Sequence, residues 1–243
     1  MLFDYKMNKN IGCSDVDVND RFGTYQVVKF AQDIFTKYFK SFGSDNPTLK
    51  SENNAAWVLS KTKIRFISAP GFNEQVKSRI YTTVVKPVRM VCETVVNSEN
   101  GDNLLIINQE YCAIDIDSRK PKKLKDIKYP KDMECEKAII KDPFIRFKSE
   151  FGEDDFVYET KMFSQDIDSN LHVNNTVYVR LILNCFNIDF LRRNHTKEFE
   201  IHYTSEALEG EFLSIYKKKR DYGFDFLISS HDREVAKAYI EFE

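Results

Sequence analysis

The sequence predicts an α+β fold built twice: two consecutive halves, each a long helix wrapped by an antiparallel sheet, packed together as a pseudo-dimer. Three observations predict it. The order of a helix followed by strands occurs twice along the chain. A polar motif precedes both helices, and at one constant offset Asp15 aligns with Asp166, Asp17 with Asp168, Asn19 with Asn170 and Phe35 with Phe186. The second helix is apolar on most of its circumference, which only a helix enclosed by protein tolerates.

Residues 22–42 carry Val28, Ala31, Phe35, Tyr38, Phe39 and Phe42 at three- and four-residue steps, with Lys29, Gln32, Asp33, Thr36, Lys37 and Lys40 between them. That period is helical, and Gly43 stands where a helix C-cap is expected. The polar stretch 43–54 reads as loop. Segments around 56–67, 75–86, 89–97 and 103–116 are rich in Val, Ile, Thr, Tyr and Phe and read as strands, with Asn100-Gly101-Asp102 as a hairpin turn. Residues 118–150 are charged and punctuated by Pro121, Pro130 and Pro143, so they read as a connection with little regular structure. A strand at about 155–165 follows. Then come a helix at about 174–193, apolar through Val177, Tyr178, Leu181, Ile182, Cys185, Phe186 and Phe190, and strands around 196–205, 210–219, 222–230 and 234–242. The resulting division is a half over 1–128 without catalytic residues, a linker over 129–150 and a catalytic half over 151–243.

Composition excludes several function classes. With 243 residues, 42% hydrophobic and 14% aromatic, the chain can fill a core. Lys and Arg (36) nearly balance Asp and Glu (38), which disfavours a nucleic-acid binder. The 8 glycines are so widely spaced that neither a phosphate-binding loop, a dinucleotide fingerprint nor a G-x-S-x-G nucleophile elbow can be assembled. The 5 cysteines include no C-x-x-C pair, against both a disulfide framework and a zinc ribbon. No segment has the apolar run of a signal peptide or a membrane span, so a cytoplasmic protein is expected.

The two copies of the polar motif differ where Arg21 in the first faces His172 in the second. An imidazole gives and takes protons near neutral pH and a guanidinium does not, so chemistry at this position belongs to the second half. Asp168, Asn170 and His172 alternate, which in an extended segment puts them on one face. Asn174 and Asn175 then open the helix, whose first free N–H groups form an oxyanion cradle. Other readings stand beside this one. D-x-D-x-N also opens calcium loops, although Leu171 and Val177 occupy the positions that need Gly and Glu. A plain helix entry with Asx turns and a structural histidine also fit the residues.

The string Asp168-Ser-Asn170-Leu-His172-Val-Asn174-Asn175, with Tyr178 after it, resembles the active-site motif of the acyl-acyl-carrier-protein (acyl-ACP) thioesterases, which have a tandem hot-dog fold. Asn54-Ala-Ala-Trp57-Val-Leu and Ala113-Ile-Asp-Ile-Asp117-Ser-Arg-Lys-Pro-Lys-Lys-Leu124 resemble further stretches of that family. The resemblance implies hydrolysis of acyl-ACP to free fatty acid and holo-ACP, ending fatty acid synthesis. It implies Asp168, Asn170, His172 and Glu206 as the catalytic set, with Asn174, Asn175, Tyr178 and Trp57 contacting substrate, and no metal or cofactor. Plant members carry a Glu-Cys pair after the helix. Here the pair is Glu206-Ala207, so water rather than a cysteine attacks. A solvated charge at a strand end is the other reading of Glu206. The implied partner is an acidic acyl carrier protein, for which Arg119–Lys123 and Lys217–Arg220 are candidate docking runs. No nucleic acid or membrane is expected, and the chain acts as a monomer or a homodimer. The alternative is a non-catalytic acyl-thioester-binding module of the same fold, and a hot-dog dehydratase is a weaker one.

Overall fold

Helix α1 (Thr24–Ser41) forms where the period placed it, burying Val27, Val28, Ala31, Ile34, Phe35 and Tyr38 along one stripe. Gly43 ends it at φ 69°: its N–H donates to the Lys40 carbonyl at 3.1 Å, and the Ser44 N–H donates to that of Phe39 at 2.9 Å. That pair of bonds is the Schellman closure, which needs a left-handed residue at this position. The structure, a computed structural model, describes residues 3–243.

The stretch expected as loop after Gly43 contains a second helix, α2 (Asn46–Asn53). Pro47 sits in its first turn, and Asn54, left-handed at φ 48°, closes it. Proline at a helix start and asparagine just past its end are the signals that the polar composition masked. The four strands of the first half follow as β2 (Ala55–Phe66), β3 (Gln75–Val85), β4 (Arg89–Ser98) and β5 (Asn103–Asp115), each within two residues of its expected ends. An additional strand, β1 (Asp4–Asn10), pairs with β3 at the sheet edge.

The second half repeats this plan with β6 (Phe156–Lys161) and then β7 (Thr196–Tyr203), β8 (Phe212–Arg220), β9 (Gly223–Ser230) and β10 (Arg233–Phe242). Its helix is broken, against expectation, into α3 (Asn175–Leu183) and α4 (Ile188–Arg193). The Asn187 side chain accepts the Phe190 N–H at 2.8 Å and starts a new helix, because a short amide competes with the main-chain ladder. The break sets Phe186 among Phe190, Phe224 and Phe242 at ring separations of 4.9–5.2 Å.

All ten strands form one sheet in the order β1-β3-β4-β5-β2-β7-β10-β9-β8-β6. Exchanging each strand for its counterpart in the other half reverses this order onto itself, so a pseudo-two-fold axis runs between β2 and β7. These two strands pair antiparallel from Lys61↔His202 to Arg65↔Glu198. The helices α1 and α3 touch on one face of the sheet. The molecule is thus two tandem hot-dog halves packed as a pseudo-dimer.

The connection between the halves has a single short 3₁₀ turn, Leu124–Asp126, and is otherwise irregular among its described residues, as expected. It is nonetheless tied down along its length by carboxylates on the sheet. Glu93 of β4 accepts the Ile139 and Ile140 N–H groups at 2.8 and 3.0 Å, Glu200 of β7 accepts that of Ile145 at 2.6 Å, and Asp225 of β9 accepts the Ser149 hydroxyl. Lys63 of β2 lies 2.9 Å from Glu200 and also donates to the Pro143 carbonyl at 3.0 Å. All four sheet residues are buried, so their charges would be costly without these partners.

Candidate active site

The turn that opens α3 copies, bond for bond, the turn that opens α1. In the first half Asp15 Oδ2 accepts the Gly12 N–H at 2.9 Å, the Asp17 N–H donates to the Arg21 carbonyl at 2.8 Å, and Asp17 Oδ1 accepts the Asn19 N–H at 2.8 Å. In the second half Asp166 Oδ2 accepts the Phe163 N–H at 3.0 Å, the Asp168 N–H donates to the His172 carbonyl at 2.8 Å, and Asp168 Oδ1 accepts the Asn170 N–H at 2.8 Å. Asp20 and Leu171 take the same left-handed conformation, at φ 55° and 65°. Segment 168–172 is therefore a tight turn rather than extended backbone. The alternation of Asp168, Asn170 and His172 does not place them on one face, because the Asp168 carboxylate folds the chain back by capping Asn170.

The copies diverge in their side chains. Phe22 donates its N–H to the Pro70 carbonyl and Val173 to that of Ala207, both at 2.8 Å, so Ala69 stands where Glu206 stands. Arg21 occupies the place of His172 and Gly23 that of Asn174. A Cβ on Gly23 would come 2.8 Å from that of Asp17, which accounts for the glycine there. Only the second half holds an imidazole and a carboxylate together: His172 Nε2 lies 3.0 Å from Glu206 Oε2. The His172 side chain is 25% exposed and that of Glu206 40%, so water and substrate reach both.

Three groups around Glu206 escaped the sequence reading. Arg119, from the first half, donates through Nη2 to Glu206 Oε1. Arg233 of β10 donates to the Glu206 carbonyl and, at 2.6 Å, to Glu211 Oε2. Arg119 belongs to a run read as a docking patch, and nothing in its spacing reveals contact with a residue so distant in sequence. The second basic run is tied up internally: Lys217 donates to the Cys185 carbonyl at 2.9 Å, and Arg220 lies 3.3 Å from Asp225.

Asn174 caps α3, its Oδ1 accepting the Thr176 N–H at 2.9 Å and the Thr176 hydroxyl at 2.8 Å. The Val177 N–H donates to the Asn174 carbonyl at 2.9 Å. Among the described residues this leaves the Asn175 N–H as the one amide of Asn175–Val177 without an acceptor, so the cradle of several free amides shrinks to one. Asn170 is exposed. Tyr178 is buried, which pushes its hydroxyl well above the ordinary tyrosine range against the lowering effect of the Ala207 backbone, and its ring lies 6.0 Å from that of Tyr203. Trp57 is not brought to this cluster. Its Nε1 donates to the Ser44 carbonyl at 2.8 Å, and its ring packs on Phe39 and Tyr129 inside the first half. Among the described residues no three His, Cys, Asp or Glu side chains are arranged to hold a metal ion, and no described helix is long and apolar enough to cross a membrane.

Two family models match the chain. The acyl-ACP thioesterase N-terminal domain matches residues 3–129, and the acyl-ACP thioesterase C-terminal domain matches residues 150–243. Among solved structures, an acyl-ACP thioesterase from Bacteroides thetaiotaomicron superposes with a TM-score of 0.90 at 20% identity, covering 99% of this chain and 98% of that one. The 12:0-ACP thioesterase from Umbellularia californica superposes at 0.85 with 16% identity, covering 99% and 97%. These likenesses are of fold. A search of curated protein sequences gave no match.

Proposed function

The chain belongs to the acyl-ACP thioesterase family, and on that premise we propose that Glu206 and His172 carry its hydrolysis of acyl-ACP. The reaction releases a free fatty acid and holo-ACP. Family membership favours this enzyme over a non-catalytic binder of acyl thioesters. The observation that supports the assignment is the 3.0 Å contact between His172 Nε2 and Glu206 Oε2 in the half that alone holds both groups.

In this reading the thioester carbonyl lies at the start of α3. Glu206 takes a proton from a water, and that water attacks the carbonyl carbon. The oxyanion is held by the Asn175 N–H, with the Asn170 side-chain amide as a second donor. One such donor is worth about 3–4 kcal/mol when removed. Collapse breaks the C–S bond and expels the phosphopantetheine thiolate, which takes a proton back through His172. Asp168 acts by holding the turn that presents His172, and Tyr178 borders the acyl group. Trp57 supports the first half's core rather than touching substrate. The working unit is a single chain, since it supplies both halves of the seam. Its setting is the cytoplasm, where Lys120 and Lys123, exposed beside Arg119, meet the acidic carrier protein.

Free-thiol release from acyl-ACP tests the assignment. His172→Ala and Glu206→Gln should each lower kcat by about 10²–10⁴-fold, the usual worth of a positioned acid or base. Full turnover by either variant overturns it.

A further inference from the structure

We infer that Arg119, supplied by the half that lacks the His–Glu pair, is a positioning residue for the reaction. The inference rests on the role proposed above for Glu206. Arg119 acts on the substrate only through that carboxylate, whose orientation it fixes.

Glu206 has two carboxylate oxygens with two different partners. Oε2 faces His172 Nε2 at 3.0 Å, and Oε1 accepts from Arg119 Nη2. A carboxylate held only on one side rotates about its terminal bond. Held on both, it presents a fixed lone pair, and small misplacements of a reacting group are costly to rate. Glu206 lies just beyond the end of β7, where Arg233 holds its carbonyl, but a held backbone leaves the side-chain torsions free to turn.

The turn that carries Arg119 is built to aim it. Arg119 is left-handed at φ 57°, a conformation disfavoured for a long side chain that has no local hydrogen bond to offer its own backbone. The surrounding bonds enforce it. The Arg119 N–H donates to the Asp115 carbonyl at 3.0 Å, and the Asp115 N–H donates to the Lys120 carbonyl at 2.9 Å. Asp115 Oδ1 accepts the Ser118 N–H and hydroxyl at 3.0 and 2.9 Å, and its Oδ2 lies 3.2 Å from Lys122 Nζ. Asn54 donates to Asp117 at 2.7 Å and pins the tip of the turn to the end of α2. A guanidinium serving only to attract a distant carrier protein needs none of this bracing. Arg119 and Glu206 belong to different halves, so the ion pair also fixes the seam at the site.

The test is a double-mutant cycle with acyl-ACP as substrate. Arg119→Met should lower kcat by about ten- to a hundredfold while KM stays within about twofold, because the residue acts after binding. Arg119→Lys, which returns a cation with poorer geometry, should recover part of the rate. Neither variant should lower the thermal midpoint by more than about 3 °C, the worth of an exposed ion pair. In a Glu206→Gln background Arg119→Met should cause no further loss. An unchanged kcat, a loss confined to KM, or an undiminished loss in the Glu206→Gln background overturns the proposal while leaving Glu206 in place. Full turnover by Glu206→Gln alone overturns both.

Discussion

Asp115 shows how one side chain can organise a turn without being buried. The Ser118 N–H is the largest cause holding its carboxyl at about 2, below the ordinary 3.8, with the Ser118 hydroxyl and Lys122 adding to it. A carboxyl lowered in the folded state stabilises above its unfolded value and stops doing so as the pH falls through the folded one. The turn that presents Arg119 should therefore be fully held above pH 3.8 and loosen as the pH falls toward about 2. A carbon-detected NMR titration of the Asp115 carboxyl should place its midpoint near 2. A midpoint at the ordinary 3.8 would mean that the Ser118 bonds do not persist in solution. At this scale the repeat singled out His172, because it and Arg21 occupy one position, and the structure sets that imidazole beside Glu206. It did not disclose that Asp168 caps Asn170, since an extended segment and an Asx turn draw on the same residue types.

The elements were read well wherever local pattern decides them. The apolar stripe of α1, the glycine that closes it and the β-branched runs of β2–β5 and β7–β10 are local properties of the chain. The misses have local causes too. α2 is short and polar, and β1 is an edge strand with few apolar residues to reveal it. Asn187 divides the second helix by a capping bond that its apolar surroundings concealed. The linker's contacts lay beyond local reading, because Glu93, Lys63, Glu200 and Asp225 become its anchors only when four strands align. The buried Lys63–Glu200 pair, 2.9 Å apart, sits at the seam, and its carboxylate also receives the Ile145 N–H. Glu200→Ala would leave the lysine buried and uncompensated and the Ile145 N–H without an acceptor. The expected cost is about 3–5 kcal/mol, measurable by urea denaturation. A loss below about 1 kcal/mol, as for an exposed pair, would show that water already reaches this seam.

Duplication explains the whole molecule. Each half presents a helix, a turn and an edge strand, β2 or β7, and pairing these two strands joins two sheets into one. That geometry creates two equivalent positions at the helix starts, and substitution has separated them. One holds an imidazole with a carboxylate beside it. The other holds Arg21 and Ala69, a combination with no group to move a proton near neutral pH. The asymmetry was half legible: the His/Arg difference stands in the repeat itself. The pairing of Ala69 with Glu206 needed the Pro70 and Ala207 hydrogen bonds to align two loops of unrelated sequence, and Arg119 reaches the site only because the halves fold against each other. The half without the pair is thus part of the site's construction.

Single-turnover hydrolysis of acyl-ACP in ¹⁸O-labelled water, with the masses of fatty acid and protein both measured, tests direct attack by a water held at Glu206. The wild-type protein should give fatty acid carrying one ¹⁸O in the first turnover while its own mass stays unchanged, and Glu206→Gln should give almost no product on the same timescale. An acylated protein, or ¹⁸O appearing in the protein instead of the first-turnover product, would contradict the account and point to a covalent intermediate.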